Sequence, residues 1–110
     1  MPYNVEMSAV FGELLTFSQE NGPDVQLKVF GDEFYARYET VEGYTVIYDQ
    51  KLGCFVYAIL KNERFGSSGV GLDQSPPAGV QRHLEESGDV RGAKAENRFS
   101  KRWSLKKLNC

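Results

Sequence analysis

What the chain lacks narrows its chemistry first. Among 110 residues there is one histidine, His83. A single histidine leaves no HExxH zinc helix and no site built on several imidazoles. A Ser/His/Asp arrangement would need His83 as its base, yet no Gly-x-Ser-x-Gly elbow is present. His83 therefore reads as a surface histidine on a short helix. Cys54 and Cys110 form no CxxC pair and no Cys/His cluster, which leaves no zinc knuckle and no disulfide framework. Cys54 lies in an apolar run, where a free thiol acts as a small hydrophobe. The glycines Gly66, Gly69 and Gly71 lack the strand–glycine–helix setting with a following Lys-Ser/Thr that a phosphate cradle requires. Asp32 and Glu33 are adjacent carboxylates, and neighbours on a strand point to opposite faces, so they share acid–base work poorly. The expectation is a chain that is not an enzyme, with no catalytic, cofactor-binding or metal-binding residues.

Long hydrophobic runs are also missing, and none approaches the length of a membrane-spanning helix. The start, Met1-Pro2-Tyr3-Asn4-Val5-Glu6, has no basic segment leading into an apolar one. The expected location is cytoplasmic for a chain complete as written, and secreted for one that has lost a signal peptide.

What is present suits a small sheet. Seven Phe, six Tyr and one Trp favour pleated surfaces, where aromatic and β-branched side chains pack well. A chain of 110 residues supports one domain with a modest core. Charge divides the sequence unevenly. Residues 1–90 carry six Lys/Arg against fourteen Asp/Glu, a net of −8, whereas residues 91–110 carry seven against one, a net of +6. The basic end is suited to pair with the acidic part or with another acidic surface.

The pattern along the chain gives the elements. Glu13–Phe17 fits a strand, although Val10, Leu14 and Phe17 also fit helical spacing. Asn21-Gly22-Pro23 marks a hairpin turn. Val25, Leu27 and Val29 alternate with polar residues at the period of a half-buried strand. Phe34–Tyr38 is a short strand, and the pair Tyr44–Tyr48 and Cys54–Leu60 forms a hairpin, apolar on both faces, across Asp49–Gly53. Gly66–Gly71 reads as a flexible loop. A short helix is expected over Gly79–Glu86, ended by Ser87-Gly88. The expected fold is mainly β, with α+β open: an antiparallel sheet of four to five strands, a short helix and an extended basic C-terminal arm. The β-rich module is placed at residues 5–64; residues 65–110 are linker, short helix and arm.

The arm admits two binding chemistries. Arg98, Lys101, Arg102, Lys106 and Lys107 offer phosphate contacts, with Phe99 and Trp103 as stacking rings. The acidic module repels a polyanion, so nucleic acid is disfavoured. As an amphipathic membrane helix, the face shared by Phe99 and Trp103 is interrupted by Lys106. A protein partner is the expectation, with Arg98, Lys101, Arg102 and Trp103 as candidate contacts.

One stretch carries more than composition. Leu27–Ala58 contains Gly31-Asp32-Glu33-Phe34, then Thr40-Val41-Glu42-Gly43-Tyr44, then Tyr57-Ala58, and is followed by Pro77, Gly79 and His83-Leu84. This ordered set resembles the N-terminal pro-region of immune inhibitor A-type secreted zinc metallopeptidases, over about residues 12–90. The zinc helix of those proteins lies downstream of the part matched, so their peptidase activity does not transfer. The resemblance implies a non-catalytic pro-domain-like module that binds a metallopeptidase domain, assisting its folding or keeping it latent. It also implies that Gly31, Asp32 and Glu33 face the partner, where a carboxylate can fill the open position of a catalytic zinc. The alternative is a free-standing regulatory domain that meets an unrelated partner through its basic arm.

Overall fold

The computed structural model describes residues 10–108, with side chains described through Lys101. The expected module start at residue 5, the side chains of Arg102 and Trp103, and Cys110 lie outside the described residues. Six strands follow one another: β1 Val10–Gln19, β2 Gly22–Gly31, β3 Ala36–Glu39, β4 Thr45–Asp49, β5 Cys54–Lys61 and β6 Arg64–Gly71. Helix α1, Gly88–Leu108, comes last. Each strand pairs antiparallel with the next, in the order β1-β2-β3-β4-β5-β6. Such a meander needs only short connections, which the chain supplies.

The strand alternative for Val10, Leu14 and Phe17 is the one the chain adopts. Gly12, at a φ of 83°, sits at a register shift between the Phe11 and Glu13 pairs. Leu15 and Phe17 pair with Leu27 and Val25, so the apolar sets of both strands share a face. Gln19 pairs with Gly22, which leaves Glu20-Asn21 as the two-residue turn. Pro23, which has no N–H to give a ladder, falls in the second register shift of this hairpin.

Hairpin β4–β5 forms as expected, with Val46 opposite Tyr57, Ile47 opposite Val56 and Tyr48 opposite Phe55. One of its faces joins Leu27 in the core, through Val46, Phe55 and Tyr57. Val56 and Ala58, on the other face, are fully buried.

Three expectations are corrected. Gly66–Gly71 is not a flexible loop or linker but most of β6, paired with β5 from Lys61–Arg64 to Val56–Gly71. Its turn, Asn62-Glu63, has φ of 52° and 67°, the left-handed pair of a type I′ turn. No glycine marks that turn, and small side chains disguise the strand. The sheet therefore has six strands where four to five were expected.

Residues 79–86 form no helix. They lie in an irregular strap, with φ of 84° at Gly79 and 59° at His83, values no right-handed helix contains. Thr45 Oγ1 donates to Leu84 O at 2.7 Å, holding the strap against the sheet.

The C-terminal arm is not extended. Ser87, expected to end a helix, begins one: its Oγ accepts from Val90 N at 3.2 Å and its carbonyl from Arg91 N at 2.9 Å. That is an N-cap. Asp89 in the first turn adds a favourable charge there. Val90 is buried, Lys94 and Arg91 pair with Glu86 and Glu85 of the strap, and Arg98 reaches Glu33 O beside the sheet. The charge division of the sequence is thus used within the chain.

The sheet also curls. The β1–β2 tip reaches the β4–β5 turn, where Asn21 N donates to Gly53 O at 2.8 Å and Asn21 Nδ2 to Leu52 O at 2.9 Å. Gln19 Oε1 accepts from Phe55 N at 2.7 Å. No helix among the described residues is long and apolar enough to cross a membrane.

A candidate binding gap between two strands

Strands β3 and β4 pair only at Tyr38–Val46 and Glu39–Thr45. Continuing that register would pair Arg37 with Ile47 and Ala36 with Tyr48, and neither pair forms. The turn beyond is tight: Thr40 N donates to Tyr44 O, Gly43 N to Thr40 O and Tyr44 N to Thr40 Oγ1. The strands thus meet at the Thr40–Gly43 turn and separate toward Ala36 and Tyr48. A cavity of about 470 Å³ fills the separation. Its lining comes from both strands and from both sides of the sheet: Phe17 and Phe55 on one, Phe65, Glu86, Lys94 and Arg98 on the other.

Glu86 organises the second side. Its carboxylate is fully buried and paired with Lys94. Glu86 Oε1 accepts from the Tyr35 hydroxyl at 2.8 Å and Oε2 from Phe65 N at 2.7 Å. Burial works to raise its pKa, but the bonds from Lys94, Phe65 and Tyr35 outweigh it and hold the carboxyl below its ordinary value. The Tyr35 hydroxyl moves the other way, pushed up first by burial and then by the bond to Glu86. One carboxylate thereby ties together the loop before β3, strand β6 and helix α1.

A second buried carboxylate, Glu39, stands at the closed end. Arg37 Nη1 lies 3.2 Å from Glu39 Oε2, close enough for an ion pair yet not aligned as a hydrogen bond. The Arg37 guanidinium also covers the Phe30 ring at 4.7 Å, a cation–π contact. His83 Nδ1 is 3.0 Å from Glu39 Oε1, and His83 N donates to Gly43 O at 2.8 Å. His83 is therefore not the idle helical histidine the sequence suggested but a clamp on the β3–β4 turn.

Four of the candidate partner residues, Gly31, Asp32, Glu33 and Arg98, fall in one neighbourhood, with different duties. Gly31 has a φ of 133°, and a Cβ there would lie 2.1 Å from Tyr35 O, so only glycine fits. Asp32 Oδ1 accepts from Phe34 N at 2.8 Å and Tyr35 N at 3.0 Å, closing the turn as an Asx cap. Arg98 Nη1 reaches Glu33 O at 3.3 Å, and the Phe99 ring meets that of Phe34 at 5.5 Å. Gly31, Asp32, Glu33 and Arg98 are thus brought together at the open end of the gap. Lys101 is exposed on the helix face it shares with Lys94 and Arg98. The side chains of Arg102 and Trp103 lie outside the described residues.

Sequence reasoning missed Tyr35, Arg37, Glu39, Glu86 and Lys94. The available signal was the Glu86-Ser87 step, a carboxylate beside a capping residue at the acidic-to-basic boundary. No group of three or more His, Cys, Asp or Glu among the described residues is placed to hold a metal ion. What the gap offers is aromatic surface, strand edges and fixed charge, which suits binding. No family model, no curated protein and no solved structure matches this chain.

Proposed function

We propose that the chain is a non-catalytic pro-domain-like module that binds a zinc metallopeptidase domain, assisting its folding or keeping it latent. One observation supports this most. Two of the strings that carry the resemblance, Gly31–Phe34 and Thr40–Tyr44, lead into the two strands that border the gap. Part of the resemblance therefore borders the candidate binding surface, with Phe34 in its lining. The alternative, a regulatory domain acting through its basic arm, is less favoured. Arg91 and Lys94 already pair with the strap and Arg98 with the turn at Glu33, which leaves less of the arm for a partner.

Within this reading, blocking by the bulk of the sheet and helix is preferred to masking of zinc by Asp32. One oxygen of that carboxylate already caps its own turn. The test adds the chain in trans to a mature peptidase domain of the resembled type and follows peptide hydrolysis and refolding yield. Slower hydrolysis or a higher yield is expected. Inhibition should survive Asp32→Ala with Glu33→Ala, provided circular dichroism shows the fold intact. A peptidase domain that neither binds the chain nor responds to it in either assay overturns the reading.

A further inference from the structure

We propose that the gap between β3 and β4 takes an extended peptide segment carrying an acidic side chain, paired through its main chain with Ala36 and Tyr48. This rests on the binding-module reading and specifies its ligand. The backbone argument comes first. Thr40 N donates to Tyr44 O, and this bonded pair lies on the same register as Tyr38–Val46. Bonded pairs alternate along an antiparallel ladder, so the next main-chain groups aimed across the junction belong to Ala36 and Tyr48. Those groups have no partner across the gap. Both residues are only partly exposed. Main-chain donors and acceptors in such a position call for partners, and an added strand supplies them at the usual spacing. Two strand steps separate Tyr38 from Ala36, roughly 3.3 Å each, so a segment of about three residues fits the unpaired reach.

The charge argument selects the side chain. The lining carries Arg37, Lys94 and Arg98 against Glu86. Glu39 lies behind Arg37, with His83 Nδ1 3.0 Å from its Oε1. With Arg37 paired to Glu39 and Lys94 to Glu86, Arg98 is the lining cation left without an ion pair among the described residues, in a chain whose first 90 residues carry a net of −8. Lys94 and Arg98 sit one turn apart on α1 at the rim, and among the described residues the bond that Arg98 makes there is to a main-chain oxygen, Glu33 O. A carboxylate on the incoming strand gives that guanidinium a charged acceptor. Phe17, Phe55 and Phe65 suit apolar side chains on either side of it.

The test uses the full chain and a fluorescein-labelled pentapeptide of threonine, valine, glutamate, valine and threonine. Its controls are the same peptide with lysine replacing glutamate, and one N-methylated at both valines. The glutamate peptide should bind at least about tenfold more tightly than the lysine peptide, and more weakly as salt is added. N-methylation, which removes main-chain donors, should abolish binding. Arg98→Glu should weaken binding by about tenfold. In amide exchange, the Tyr48 N–H should become protected when the peptide is added. Equal binding of the glutamate and lysine peptides, or protection of Tyr48 that depends on protein concentration alone, overturns the proposal. The latter would assign the gap to a second copy. Failure with peptides while the peptidase domain still binds would reject this ligand and leave the pro-domain reading standing; failure of both rejects both.

Discussion

Two junctions of the same strand behave differently. On one edge β4 pairs with β5 through four rows, from Val46–Tyr57 to Asp49–Cys54. On its other edge it pairs with β3 through two. Both turns are tight. Asp49 Oδ1 caps Lys51 N at 2.9 Å and Leu52 N at 3.1 Å, as Thr40 Oγ1 caps Tyr44 N at 3.1 Å. Turn chemistry therefore does not separate them; the surroundings of the strands do. Across β4–β5, the Tyr48 and Phe55 rings meet edge to face at 5.0 Å and Val56 is fully buried. Beside β3, the neighbouring Tyr35 is bonded to Glu86, which belongs to the strap. A polar anchor on one face holds the start of β3 away from the strand it would otherwise pair with.

Glu86→Ala is the change that should break this comparison most severely. It strands the Tyr35 hydroxyl, Phe65 N and the Lys94 ammonium at once. Losing one partner of a buried charge network costs about 3 kcal/mol, taken at the low end because Lys94 is partly exposed. Chemical denaturation should show this loss, and amide exchange should quicken at Phe65 before it does at Tyr57. An unchanged midpoint would mean that the anchor does not hold the gap. The same carboxylate gives a pH dependence. Its folded pKa lies below the ordinary 4.5, so the unfolded chain binds the proton more readily. Stability from Glu86 is present above about 4.5 and is lost as pH falls through the lower, folded value. In Glu86→Gln that share of the acid sensitivity should vanish.

Val56→Ala tests the other junction. The side chain is fully buried on a strand with neighbours on both edges, and removing two methyl groups should cost about 2 kcal/mol. The loss should be global, because the hairpin is part of the core rather than an attachment to it. A melting curve that does not move would place β5 outside the cooperative unit.

These outcomes also mark what was legible beforehand. Hairpin β4–β5 could be read from Tyr44–Tyr48 and Cys54–Leu60 because apolar residues on both faces, broken by a polar turn, have one good solution. Alternation at Val25, Leu27 and Val29 gave β2 for the same reason. Strand β6 was hidden, since glycine and serine carry no period and Asn62-Glu63 makes its turn without glycine. The gap was hidden for a deeper reason. Its lining joins Tyr35, Phe65, Glu86 and Lys94, residues that only tertiary folding brings together. Of its surroundings, the sequence marked only the Gly31–Glu33 turn and Arg98.

The smallest expected effect concerns how helix α1 is held at the gap. Ser87 Oγ accepts from Val90 N at 3.2 Å and its carbonyl from Arg91 N, so Ser87→Ala loses only the side-chain half of the cap. The cost should be about 1 kcal/mol, with Ser87→Asp restoring it and Ser87→Gly costing only a few tenths. The helix begins beside Glu86, so its first turn positions Lys94, and weakening the cap should loosen the Lys94–Glu86 contact before any strand pair. Helical circular dichroism should then fall at a lower temperature than the tyrosine signal of the sheet. If both signals move together, helix and sheet form one cooperative unit. The gap would then be as rigid as the β4–β5 hairpin beside it, and the contrast between the two junctions would be one of pairing alone.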